Sequence, residues 1–156
     1  MKILVVYYSR TGHNRQLAKE LAAEVAADIE EIIESKPKGF IMSGWQSMTK
    51  AKGEIGKVAM NPGDYDRVIL VAPIWFGGIS PALRTYIEEY LTKIKTFACL
   101  SVSGNGNKNE SYIDQLEKEY SLNIRPRLLL SDAELAKNAY SQKLEAFARL
   151  LKSDQK

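Results

Sequence analysis

The stretch ILVVYYSRTGHNRQLAKELAAEV, residues 3–25, sets an apolar run directly against a polar cluster and then a helical pattern. Residues 3–8 are almost continuously apolar, as in a strand covered on both faces. Leu17, Leu21 and Val25 then recur at four-residue spacing and form one helix face. Between the two lies SRTGHN, six residues that are polar or glycine. This cluster falls where a buried strand ends and a helix begins. The first amides of a helix have no intrahelical acceptor, and the helix dipole adds partial positive charge there, so the position favours an anion. Ser9, Thr11 and Asn14 add side-chain donors, and Gly12 lets the backbone curl closely around a ligand. The loop has neither the Gly-Lys-Ser/Thr end of a Walker loop nor the three glycines of a dinucleotide fingerprint. Two readings stay open from these residues alone: a phosphate cradle, or a helix capped by Ser9, Thr11 or Asn14.

The same alternation continues along the chain. Residues 68–72 and 97–102 are further continuous apolar runs, whereas residues 29–33 and 125–130 are mixed. Pro126 places the last of these at an edge, because proline cannot donate to a central ladder. Helical stripes separate the runs: Leu83, Ile87 and Leu91; Ile113, Leu116 and Tyr120; and Tyr140, Leu144, Phe147 and Leu151. A shorter helix is expected over residues 40–52, with Ile41, Trp45 and Met48 on one side. Five strands alternating with helices predict an α/β fold with a doubly wound parallel sheet and helices on both faces. The purest runs belong at the centre, which gives the order 2-1-3-4-5 and a switch point between the first and third strands. No linker or repeat divides the sequence, so residues 1–156 read as a single domain.

Composition agrees with this. Apolar residues make up 45% of the chain and charged residues 26%, the balance of a soluble globular protein. A net charge of +3 is too small to argue for nucleic acid, and no recognition motif supports it. The apolar runs are far too short for a membrane span. Residues 1–8 run into SRTG without a cleavage-site pattern and read as structure, not signal. The single cysteine, Cys99, rules out an internal disulfide and suits a reducing cytoplasm.

Ligands of such sheets bind beyond the carboxyl ends of the strands at the switch point. There the third strand leads into PIWFGGISPALRTYIEEY, residues 73–90. Trp75 and Phe76 precede two glycines, Gly77 and Gly78, and Ser80 with Pro81 then reads as a helix cap and first turn. Beside a phosphate cradle, exposed aromatics at a strand end suit packing on a planar ring. The fourth strand ends in SVSGNGNKNE, residues 101–110, a loop able to hydrogen-bond the edge of a heterocycle. Three loops thus converge on one ligand with a phosphate, a flat ring and a polar ring edge.

These features together resemble the flavodoxin family over essentially the whole chain. SRTGHN is similar to its Ser/Thr-x-Thr-Gly-x-Thr/Asn phosphate loop, APIWFGGISPALRTYIEEY, residues 72–90, is similar to the second flavin loop of a flavodoxin-like subgroup, and SVSGNGN, residues 101–107, occupies the place of the third. The resemblance implies FMN. Its phosphate would lie against Ser9, Arg10, Thr11, Gly12, His13 and Asn14. The isoalloxazine would lie between Pro73, Ile74, Trp75, Phe76, Gly77 and Gly78 on one side and Ser103, Gly104, Asn105 and Gly106 on the other. It also implies electron transfer through the flavin, with a carbonyl near Gly77 or Gly78 accepting the N5 proton.

Two features depart from the family's electron carriers. The chain is basic where those carriers are acidic, and its third loop lacks the tyrosine and carboxylates that often flank their flavin. Residues 36–57 carry five lysines against Glu54 alone. They form either a solvated face or a docking surface for an acidic partner or a phosphorylated nicotinamide. Three functions therefore stay open. The first is a cytoplasmic FMN electron-transfer protein serving a redox partner protein. The second is an FMN-dependent NAD(P)H:quinone-type oxidoreductase acting on a small acceptor such as a quinone. The third is a non-redox interaction domain on the same fold.

Overall fold

A computed structural model describes residues 1–10, 12–35, 52–75, 77–104 and 109–153. Strand β1, Ile3–Tyr7, is followed by helix α1, His13–Val25, and strand β2, Asp28–Glu31. Strand β3 spans Arg67–Trp75 and doubles back into the two-residue strand β4, Gly78–Ile79. Helix α2 is Pro81–Tyr90, strand β5 is Phe97–Ser103 and helix α3 is Asn109–Tyr120. Strand β6, Ile124–Ser131, leads into a short helix α4, Asp132–Ala136, and the chain closes with helix α5, Ser141–Ser153.

The main strands lie in the order β2-β1-β3-β5-β6, all parallel, with β4 attached antiparallel to β3. Counting only the five parallel strands, this is the expected 2-1-3-4-5 order, with the reversal between β1 and β3. The β4 hairpin is an addition. Two residues are too few for a strand pattern to register in sequence. The expected helix over residues 40–52 lies almost wholly outside the described residues.

Alternation along the central strands divides the core between the two sheet faces. Val5, Ile69 and Leu100 pack with Leu17 and Leu21 of α1 and with Leu144, Phe147 and Leu151 of α5. Leu4, Leu70 and Cys99 pack with Leu83 and Ile87 of α2 and with Ile113 and Leu116 of α3. Cys99 is thus a small core residue, and burial pushes its thiol up to about 12. On the second face the buried Arg84 guanidinium ties α2 to α3, pairing with Glu119 at 2.8 Å and donating to the Tyr120 hydroxyl at 2.9 Å. Among the described residues, no helix is long and apolar enough to cross a membrane.

Edge strand β2 owes its mixed composition to a buried carboxylate. Glu30 points inward and accepts from the amides of Ala59 and Met60, at 3.1 and 2.9 Å. Those bonds fix the chain returning from the basic segment. A bridge between Glu34 and Ile55 closes the base of that segment, with Ser35 donating to the Glu54 carbonyl and Gly56 to that of Ile33. The Gly53 amide then meets the Thr85 hydroxyl at 3.1 Å, on the first turns of α2.

Candidate functional site

At the sheet reversal the carboxyl ends of β1, β3, β5 and β6 surround one cleft. It is lined by Arg10, His13, Asn14, Pro73, Ile74, Trp75, Val102, Ser103, Asp132 and Leu135. Seven of these were expected from sequence, from all three loops: Arg10, His13, Asn14, Pro73, Ile74, Trp75 and Ser103. Ser9 and Gly12 belong to the same first loop, and Gly104 stands beside Asp132. Thr11, Phe76, Asn105 and Gly106 lie outside the described residues.

The first loop opens α1 without a side chain on its cap. The N-cap is Gly12, at φ +94°, a left-handed conformation that glycine adopts at no steric cost. Neither Ser9 nor Asn14 takes the capping place. The Ser9 hydroxyl accepts from the Gly12 amide at 3.0 Å, closing the turn. Buried Asn14 donates through Nδ2 to the Tyr8 carbonyl at 3.2 Å, so its side chain ties the helix start to the end of β1. The first intrahelical bond runs from Gln16 N to the Gly12 carbonyl. The amides of His13, Asn14 and Arg15 precede it and have no intrahelical acceptor. Exposed Arg10 and His13 stand at the same end. This donor set suits a phosphate monoester.

The second loop is a hairpin. Trp75 pairs with Gly78, and Gly77 makes the turn at φ +86°. A Cβ on Gly77 would lie 3.3 Å from the Tyr112 ring, so a tyrosine of α3 packs directly against this turn. The half-buried Trp75 indole meets the Tyr8 ring edge-to-face, with centroids 5.8 Å apart and planes at 75°. Beyond the hairpin, the Ser80 hydroxyl accepts from the Leu83 amide and Pro81 starts α2, the expected cap and first turn.

Sequence reasoning missed the contribution of the fourth loop. Asp132 and Leu135 enter the cleft from α4, placed there because β6 lies beside β5. The Ser131 hydroxyl accepts from the Glu134 amide while the Glu134 carboxylate accepts from the Ser131 amide, a capping box that anchors this helix. Ser-x-x-Glu after an apolar run was the available signal. The carboxylate that the third loop lacks is thus supplied by its neighbour. Of the lysines in the basic segment, Lys52 forms an ion pair with Glu88 of α2.

Comparison with known proteins agrees with this architecture. The flavodoxin family profile matches residues 2–146. A protein from Bacteroides eggerthii described as a flavoprotein is 28% identical, with a TM-score of 0.71 over 94% of this chain and 98% of its own. A similarly described protein from Bacteroides uniformis gives a TM-score of 0.73 at 21% identity, covering 95% and 97% of the two chains. The flavoprotein of Lactobacillus acidophilus, solved in complex with FMN, has the same fold at 19% identity and a TM-score of 0.66, over 87% and 97%. The fold defines a doubly wound α/β protein of the flavodoxin type. This chain belongs to the flavodoxin family.

Proposed function

We propose that this protein binds FMN in the cleft at the β1–β3 reversal and transfers electrons through it to a redox partner. One observation carries the reading: the uncapped start of α1 and the half-buried Trp75 open into the same cleft. An anion site and an aromatic wall side by side match a ligand that is phosphate at one end and planar at the other. When bound, FMN supplies the one- and two-electron chemistry.

The chain's own residues bind, orient and tune. The amides at the start of α1, with Arg10 nearby, hold the phosphate. Trp75 packs against the ring and keeps water from that side. Ser103 and Gly104 meet its polar edge. Were FMN bound, a backbone carbonyl near Gly77 or Gly78, at the tip of the hairpin, would accept from the flavin N5, as the resemblance to the family implies. Asp132 places a negative charge at the same end of the cleft and opposes the build-up of further negative charge there.

The experiment is anaerobic photoreduction of the FMN-loaded protein, followed by mixing with oxidised cytochrome c, beside a steady-state assay with NADH or NADPH and a quinone. An electron carrier reduces cytochrome c stoichiometrically and leaves the nicotinamides unoxidised. Sustained, quinone-dependent oxidation of NADPH or NADH would replace this reading with that of an NAD(P)H:quinone oxidoreductase.

A further inference from the structure

Tyr8 lies one residue beyond β1 and is buried, yet its hydroxyl reaches Glu34 at 3.1 Å. The same ring packs edge-to-face on Trp75. Glu34 follows β2 and lies outside the parallel ladder, but its backbone is held on both sides. The Glu34–Ile55 bridge is flanked by the Ser35 amide donating to the Glu54 carbonyl at 2.9 Å and the Gly56 amide to the Ile33 carbonyl at 2.7 Å. The carboxylate is therefore presented from a fixed point. Burial and the adjacent Glu34 charge push the Tyr8 phenol up to about 12, so it remains a donor at ordinary pH.

We infer that Tyr8 and Glu34 are positioning residues for Trp75: Glu34 anchors the Tyr8 hydroxyl, and the fixed Tyr8 ring sets the plane of the indole in the cleft. The importance of that plane for flavin rests on the proposal that Trp75 borders the isoalloxazine. An edge-to-face aromatic contact is directional, so a tyrosine free to tilt would let the indole tilt as well. Pre-set ring orientation reduces the ordering required when a planar ligand packs on it.

The test has an arm without flavin and an arm with it. In a Trp45→Phe background Trp75 is the sole tryptophan. Tyr8→Phe keeps the ring and removes the anchor, and Glu34→Ala removes the acceptor. Each should increase fast depolarisation of Trp75 emission in the apoprotein, and the double variant should add little to the larger single effect. Glu34→Gln, whose amide oxygen still accepts, should restore the parent value. Should the Trp45→Phe background not fold, fluorotryptophan NMR on the parent, with the Trp75 signal assigned by Trp75→Phe, reads the same mobility. Unchanged Trp75 mobility in Tyr8→Phe and Glu34→Ala, with only a lowered melting temperature, would overturn the inference. In the second arm the two variants should weaken FMN roughly two- to tenfold and raise its residual emission, the range expected for losing an aligned aromatic contact. Trp75→Ala separates the two readings. If that variant leaves FMN affinity and emission unchanged, Trp75 does not border the flavin, while the apoprotein arm still decides whether Tyr8 and Glu34 hold it.

Discussion

At the scale of single residues, the cleft combines two opposed electrostatic contributions. Arg10 and the amides at the start of α1 favour an anion, whereas Asp132 places a carboxylate near the third loop. In a partly desolvated cleft such a charge acts through an effective dielectric well below that of water. It should hold the flavin potential down, despite the basic character of the chain as a whole. Asp132→Asn keeps the shape and removes the charge. The expected result is a reduction potential higher by an amount on the order of tens of millivolts, measured by spectroelectrochemical titration of the loaded protein. An unchanged potential would mean that Asp132 faces solvent when flavin is bound. Residue identity alone did not reveal this role, because nothing local in the sequence marks Asp132 as a neighbour of the third loop. The two loops meet only because β5 and β6 are neighbours.

At the scale of elements, α4 shows how a short helix is kept in place to present Asp132 and Leu135. Five residues cannot form a stable helix from propensity alone. Its capping box and the Glu134–Lys143 ion pair, at 2.5 Å, supply the restraint. The Lys143 ammonium foremost, then the Ser131 amide, hold the Glu134 carboxyl down at about 2. A carboxyl lowered in the folded state contributes fully above its unfolded value near 4.3 and loses that contribution as pH falls towards about 2. Stability should therefore decline across this window, and Glu134→Gln should flatten that part of the profile while lowering stability at neutral pH. Urea unfolding at a series of pH values measures both effects. A variant with the parent's pH dependence would show that the capping box holds nothing the unfolded chain lacks. The hairpin of β3 and β4 is the complementary case. Its turn depends on Gly77 at positive φ against the Tyr112 ring, and the paired glycines were legible only as a flexible loop.

At the scale of the whole molecule, the fold was legible because burial is recorded in composition. The continuous apolar runs of β1, β3 and β5 announced strands covered on both faces, and Pro126 marked β6 as an edge. From those positions the strand order and the reversal between β1 and β3 followed. Less legible were features that depend on tertiary partners. Glu30 reads as a surface residue until the returning amides of Ala59 and Met60 enclose it. Asn14 reads as a ligand donor, and the further bond from its amide to the Tyr8 carbonyl appears only once the end of β1 is in place beside it. The family's phosphate loop could be recognised in six residues, but the framework around Trp75 involves Tyr8, Glu34 and Ile55, which no short motif connects.

If the start of α1 holds the phosphate of a flavin in this cleft, FMN should bind far more tightly than riboflavin. The two ligands share the ring and the ribityl chain and differ only in the phosphate. A hydrogen bond to a charged group is worth about 1.5–3 kcal/mol, so two of them at the lower figure give roughly a hundredfold preference. Titration of the apoprotein, followed by flavin fluorescence or calorimetry, should yield an FMN dissociation constant lower than that of riboflavin by about that factor or more. Equal affinities for the two flavins would rule out a phosphate site at the start of α1.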